Sequence, residues 1–217
     1  MKSGAAFFGS AGSAQNDDDL MIIGQILAGQ KELFRVLVKR YESAVYGMGI
    51  GFFHNAEDAS DYSQEVFLKI FRSLPQFEGR SRFSTWLYRI AYNTALNRVK
   101  EKKNYRSLAE VDAAPDQTRG TVKPIGGFVI NGGKFADMDT PERKTLRNAI
   151  REAVLEGVKD LPERYRVCVD LFFFYDRSYQ EIEMITGYPV NTVKSHVFRA
   201  KKLLREKLEH IVEGGIE

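Results

Sequence analysis

Between Pro75 and Lys103 aromatic rings interleave with cations: Phe77, Phe83, Trp86, Tyr88 and Tyr92 among Arg80, Arg82, Arg89 and Arg98. Rings beside guanidinium groups, with the Asn93 amide at hand, are what unstacked nucleotides require. They supply a stacking surface, a hydrogen-bonding group and neutralisation of backbone phosphates. The plainer reading of the same rings, Trp86 included, is that they are core. A helical repeat puts Phe83, Leu87, Ile90 and Thr94 on an inner stripe. Thr85, Arg89, Tyr92, Asn93 and Lys100 then share an outward arc.

A second constellation runs from Ser178 to Lys207, SYQEIEMITGYPVNTVKSHVFRAKKLLREK. It reads as a short helix, a tight turn carrying Gly187 and Pro189, and a longer helix with a basic outer face. That is the sequence form of a helix-turn-helix, which places its second helix in the major groove of duplex DNA. Val193, Val197, Ala200, Leu204 and Leu208 form the stripe that packs on Ile182 and Ile185. The opposite arc carries Asn191, Lys194, Ser195, Phe198, Arg199, Lys202 and Arg205. An exposed Phe198 suits a thymine methyl, while Lys194 or Arg199 reaches guanine edges or phosphates. The alternative is that Phe198 packs on a neighbouring loop. His196 flanks the stripe as a phosphate-contacting or packing residue.

Covalent and metal chemistry find no support in the spacing. His54, His196 and His210 are scattered, and no second His, Cys or acid lies at metal-ligand spacing from His196. A nuclease or recombinase would need a metal cluster or a nucleophile with its base. The expectation is a binding protein with no cofactor.

These groups must be positioned by helices. Residues 1–16, rich in Gly, Ser and Ala, are expected to be disordered. Asp17, Asp18 and Asp19 then cap a helix with Leu20, Ile23, Ile26 and Leu27 at helical spacing. A second helix covers about 31–51, with Leu33, Phe34, Leu37, Tyr41, Val45 and Met48 inward. A third runs from Ala56 to Leu74, where Pro75 stops it. Its core stripe is Ala59, Tyr62, Ser63, Val66, Phe67 and Ile70. Its far side presents Asp58, Asp61, Gln64, Glu65, Leu68 and Arg72, an acidic face with an exposed leucine that suits a protein partner better than DNA. The loop PQFEGRS leads to a fourth helix over about 83–103. The fold class is therefore all-α, with a first helical domain over 17–104. Residues 105–139, with Pro115, Pro124, Gly126-Gly127 and Gly132-Gly133, read as a flexible linker. Within it GGFVINGG could form a small hairpin. A second domain over 140–213 opens with Thr140 and Pro141 as cap and first turn and continues through a helix over 163–175 into the helix-turn-helix.

Charge distribution agrees with two contacts to a polyanion. The chain of 217 residues has a net charge of only +3. From Lys69 to Lys103, however, nine Lys/Arg face two Glu, and from Val190 to Lys207 six face one. Either patch alone could be a solvated helix face; two suggest phosphate neutralisation. The single cysteine, Cys168, lies in an apolar run as a small buried hydrophobe, which fits a reducing cytoplasm. The apolar run Ala5–Phe8 is too short for a signal peptide. Nothing approaches the roughly 20 apolar residues of a membrane span. A cytoplasmic protein is expected.

With both ends read, the pattern resembles bacterial RNA polymerase sigma factors of the extracytoplasmic-function (ECF) group. The resemblance covers the chain from Asp17 to about Glu209. It rests on AEDASDYSQEVFLKIF, on FEGRSRFSTWLYRIAYNTALNRV and on LPERYRVCVDLFFF…SYQEI…VNTVKSHVFRAKKLLRE. It implies a factor that binds core RNA polymerase, directs it to promoters and promotes their opening, in a stress or envelope response. The 56–72 helix resembles the element that docks on the polymerase β′ coiled coil, which gives Asp61, Gln64, Glu65 and Leu68 a partner. The second domain would meet the β flap. The 73–83 loop and the following helix resemble the element that melts the minus-ten region, so Phe77, Arg80, Trp86, Arg89, Tyr92, Asn93 and Lys100 would contact the opened strand. Phe77 and Asn93 align with the pocket for a flipped base. Asn191, Lys194, Ser195, Phe198, Arg199 and Lys202 would read the minus-thirty-five duplex. The linker would thread toward the RNA exit path, and an anti-sigma factor is a further implied partner. The chain departs from the family pattern at Glu183, Thr186 and His196, where a small apolar residue, leucine and arginine are commoner. The competing expectation is a stand-alone helix-turn-helix repressor or activator that binds symmetric operators unaided.

Overall fold

The computed structural model describes the backbone of residues 9–109, 154, 156–158 and 160–214, and the side chains of 14–102, 154, 156–158 and 160–207. The chain divides into two compact units, Met1–Pro124 and Ile125–Glu217. The described residues form helices and turns, with no strand among them.

In the first unit, α1 spans Gly9–Leu27, a 3₁₀ turn covers Lys31–Leu33, and α2 runs Phe34–Phe53. Helix α3 spans Ala56–Ser73, a second 3₁₀ turn Leu74–Gln76, and α4 Phe83–Ala109. Helix α3 starts where the Asn55 side chain accepts from the Glu57 and Asp58 N–H groups, at 2.8 and 3.1 Å. That satisfies two of the four donors a helix start leaves unpaired. Leu37, Tyr41 and Val45 of α2, Tyr62, Val66 and Ile70 of α3, and Phe83, Leu87, Ala91 and Ala95 of α4 are buried together. Helices α2 and α3 approach closely at Gly49, where an added Cβ would stand 2.7 Å from the Tyr62 ring. Tyr62 is fully buried, and its hydroxyl donates to the Ala91 carbonyl of α4 at 2.8 Å. One side chain thus joins three helices, with its polar end satisfied.

The N-terminal segment departs from expectation. Helix α1 begins at Gly9, not at Asp17, so residues 9–16 are helical instead of disordered. Asp19 is no cap: it is 1% exposed and accepts hydrogen bonds from the Tyr41 hydroxyl and the Arg40 guanidinium of α2. Burial raises its pKa, and these two partners only partly counter that. The order of α1 comes from such contacts and from buried Ile23 and Ile26, not from its Gly-, Ser- and Ala-rich start. At the other end α4 continues to Ala109, past the predicted linker start at 105. The rest of the linker, the GGFVINGG segment and the Thr140–Pro141 helix start lie outside the described residues.

In the second unit Val154 and residues 156–158 are helical, and α5 spans Glu163–Val169. It passes into a single π turn over Asp170–Phe174, where the sequence periodicity predicts unbroken helix to Tyr175. Helix α6 is Tyr179–Thr186 and α7 Val190–Gly214. Val158, Leu161, Tyr165, Val169 and Ala200 pack together, with Val154, Phe174 and Leu204 against them.

Candidate nucleic-acid interface

The aromatic-basic segment is built on a sharp change of direction. Pro75 sits in the first turn of the 3₁₀ element, and Phe77 follows it in extended conformation (φ −76°, ψ 106°). The Phe77 ring meets Phe83 edge-on at 5.6 Å and Trp86 at 5.2 Å. Phe83 is fully buried beneath them and lies 5.7 Å from Tyr41. Phe77 and Trp86 are half-buried. Each is therefore packed against its neighbours yet partly accessible, as a ring that stacks on a base must be.

Along α4 at 100° per residue, Trp86, Arg89, Asn93 and Lys100 fall within about 60° of arc. Arg89, Asn93 and Lys100 are exposed. Arg80 is held in the loop by Glu78 at 2.5 Å, with its side chain 85% exposed. Two members of the expected outward arc do not belong to it. Tyr92 is 3% exposed and Thr85 is 2% exposed. Tyr92 lies at the edge of the arc, where the Phe52 ring of α2 covers it at 6.0 Å. Tyr92 is therefore core, and the open face consists of Phe77, Arg80, Trp86, Arg89, Asn93 and Lys100.

Sequence reasoning missed Asn16. It lies in the tail expected to be disordered, yet its side-chain oxygen accepts from the Phe83 N–H at 3.1 Å. No local pattern announces a cap supplied from 67 residues away.

On α3, Asp61, Gln64 and Leu68 are exposed, Leu68 by 56%. Glu65 is turned aside to Lys69 at 2.6 Å and to Arg98 of α4 at 2.5 Å. Burial pushes the Glu65 pKa up, but hydrogen bonds and charge from Lys69 and Arg98 outweigh it and hold the carboxyl below its usual range. Asp58 and Lys102 add a second bridge along the seam at 2.8 Å.

In the second unit the turn motif forms as its sequence predicts. The Ser178 hydroxyl accepts from the Glu181 N–H at 3.2 Å, and the Glu181 carboxylate accepts from the Ser178 N–H at 2.9 Å. This reciprocal pair is a capping box. Gly187 ends α6 at φ +77°, a conformation that L side chains rarely adopt. Thr186, where leucine is commoner, accepts the Tyr188 N–H on its hydroxyl at 3.2 Å and so helps shape the turn. Ile182, Ile185, Val193 and Val197 are buried at the α6–α7 contact.

Asn191, Lys194, Ser195, Phe198, Arg199 and Lys202 all lie on the exposed side of α7. Phe198 is 69% exposed, so it is not packed on a loop. The Ser195 hydroxyl donates to the Asn191 carbonyl at 2.9 Å. Lys194 stands over the Tyr179 ring, and Arg199 donates to the Tyr165 hydroxyl at 3.5 Å. His196 resolves as a packing residue, 9% exposed between Tyr165 and Tyr188 at ring distances of 5.1 and 5.2 Å. Its Nδ1 lies 3.6 Å from the Cys168 sulfur. Burial, then the charges of Arg164 and Arg199, lower its pKa. No group of three or more metal-ligating side chains occurs among the described residues. No helix among them is long and apolar enough to cross a membrane.

Each unit therefore offers an exposed, cationic, aromatic-bearing helix face. Comparison with known proteins accounts for the pair. Residues 37–105 match Sigma-70 region 2, and residues 151–204 match Sigma-70 region 4. The RNA polymerase sigma-H factor of Pseudomonas aeruginosa is 32% identical over 196 residues, 90% of this chain and 96% of that protein. The ECF RNA polymerase sigma-E factor of Haemophilus influenzae is 32% identical over 199 residues, 92% of this chain and 100% of that protein. Among solved structures, the sigma factor RpoE of Bartonella quintana, in complex with the anti-sigma factor NepR, shares the fold. Its TM-score is 0.61 at 18% identity, covering 81% of this chain and 96% of that one. The chain belongs to the ECF RNA polymerase sigma factors, and is thus a transcription initiation factor, neither an enzyme nor a stand-alone regulator.

Proposed function

We propose a division of labour between the two units. Helix α3 docks on core RNA polymerase through Asp61, Gln64 and Leu68, on the β′ coiled coil, with Glu65 bracing that face against α4. The open face of Phe77, Arg80, Trp86, Arg89, Asn93 and Lys100 captures the unpaired minus-ten strand. Phe77 and Asn93 take a flipped base, and the cations neutralise its backbone. Helix α7 reads the minus-thirty-five duplex through Asn191, Lys194, Ser195, Phe198, Arg199 and Lys202, and the second unit engages the β flap. Promoter opening follows because affinity for the melted strand is withheld from the closed duplex.

The observation that carries this reading is the half-open ring pair Phe77 and Trp86 on a buried Phe83, with Asn93 and Arg89 on the adjoining arc. The protein works in the cytoplasm, where its polymerase is. An anti-sigma factor is a further partner, as for the Bartonella factor.

Phe77→Ala and Asn93→Ala should each impair promoter opening while leaving polymerase binding intact. Permanganate reactivity of minus-ten thymines measures the first and co-elution with core polymerase the second. Unchanged footprints in both variants would remove the strand-capture assignment.

A further inference from the structure

The family match begins at residue 37, so helix α1 lies wholly outside it. Two polar side chains of α1 nevertheless reach the floor beneath Phe77. Asn16 accepts from the N–H of Phe83, the first residue of α4. Such first-turn donors have no acceptor within their own helix, so this one is supplied from another. One turn further along α1, Asp19 holds the Tyr41 hydroxyl. The Tyr41 ring in turn supports Phe83 at 5.7 Å, and Phe83 carries Phe77 and Trp86 at 5.6 and 5.8 Å. The loop between the 3₁₀ turn and α4 is thus pinned at both ends. The Phe77 N–H donates to the Leu74 carbonyl at 3.1 Å, and the Phe83 N–H donates to Asn16.

We infer that Asn16 is a positioning residue for strand capture. It holds the first turn of α4, and with it the Phe83 floor, in the register that lets Phe77 and Trp86 receive an unpaired base. The inference rests on the strand-capture reading above. Asn16 itself touches no DNA: it acts through the backbone of Phe83.

The test uses the full chain bound to core polymerase and a forked promoter whose minus-ten strand is unpaired. Asn16→Ala should weaken binding to the forked DNA roughly fivefold, the size of one lost helix cap. Affinity for core polymerase and for the minus-thirty-five duplex should stay at the wild-type level. Asn16→Asp keeps the acceptor in the same place and should restore forked-DNA binding. A second readout needs no DNA. Trp86 is the only tryptophan, so its quenching by acrylamide should rise in Asn16→Ala and not in Asn16→Asp. Wild-type forked-DNA binding by Asn16→Ala would overturn the inference, as would equal losses on forked and closed DNA. Should Asn16→Ala fail to fold, Asn16→Asp decides: full binding supports a positioned acceptor and lost binding refutes it. Phe77→Ala and Asn93→Ala, run alongside, separate the two levels. If they weaken forked-DNA binding and Asn16→Ala does not, only the role of Asn16 falls. If they too have no effect, the strand-capture reading falls with it.

Discussion

The Glu65 carboxylate of α3 meets the Arg98 guanidinium of α4 at 2.5 Å, across a seam that Asp58 and Lys102 bridge again two turns toward the α3 start. An acidic residue on the partner face of α3 is therefore committed to a neighbour inside its own unit. The pair is part-exposed, with side chains 26% and 33% accessible. Its worth is therefore that of a good surface bridge, not of a buried one.

Removing the charge tests this. Glu65→Gln should cost about 0.5–1 kcal/mol of stability at neutral pH. Glu65 has a folded-state pKa below its ordinary 4.5, so its stabilisation is present above that value. It is lost as acid carries the pH down through the lowered folded value. Denaturant titrations at pH 7 and pH 3 should show a larger wild-type advantage over Glu65→Gln at the higher pH. Equal differences at both would mean that the ion pair contributes nothing.

Leu68 should behave oppositely. At 56% exposure it contributes little to the fold, so Leu68→Asp should leave the melting temperature nearly unchanged. Affinity for core polymerase should fall roughly tenfold or more, as for an apolar anchor at the centre of an interface. Fluorescence anisotropy with labelled protein and purified core enzyme measures this. Wild-type affinity would take Leu68 out of the docking surface.

Phe198→Ala should be silent in a melting experiment, since the ring is 69% exposed and exposed substitutions stay within about 0.5 kcal/mol. In promoter binding it should cost roughly fivefold, and only where the minus-thirty-five element has a thymine methyl for the ring to cover. Replacing that thymine by uracil in the wild-type complex should reproduce the loss. Uracil substitution without effect at every position would show that the ring reads nothing.

His196 makes the second unit sensitive to mild acid. Its folded-state pKa lies below 6.5, because burial and then Arg164 and Arg199 disfavour the imidazolium. The unfolded chain takes up the proton first, so stability holds above about 6.5 and declines as the pH falls through the depressed folded value. Asp170 works with the opposite sign. Burial pushes its carboxyl up to about 7 against the pull of Arg166, so it disfavours the fold as the pH rises toward that value. Comparing wild type with His196→Phe isolates the histidine. Protection from amide exchange at Val193 and Val197, taken relative to His196→Phe, should be lower in the wild type at pH 5 than at pH 7. Parallel pH profiles in the two proteins would assign the acid response elsewhere.

Much of this architecture was legible because its punctuation is local. Gly187 and Pro189 read as a tight turn, and Gly187 ends α6 there. The caps that Asn55 gives Glu57 and Asp58, and Ser178 gives Glu181, likewise lie within three residues of chain. The exposed face of α7 was legible for a related reason: one helical period sorts Phe198 and Lys202 from Val193 and Ala200. What the sequence hid was decided by other helices. Tyr92 stands on the border of its arc, and it is Phe52 of α2 that closes over it. Glu65 shares a face with Asp61, and only the approach of α4 brings Arg98 to it. Helix α1 lacks an apolar period over residues 9–16, and Asn16 and Asp19 find their partners far along the chain.

That last feature bears on where this protein can be cut. A fragment trimmed to the Sigma-70 region 2 match, starting at residue 37, would keep every side chain of the first unit that we propose to face DNA. It would also strip the cover from Tyr41, leave Arg40 without its carboxylate and leave the Phe83 N–H without its acceptor. The stretch matched as Sigma-70 region 2 is shorter than the stretch that folds. Boundaries for a minimal promoter-melting fragment belong upstream of Asn16.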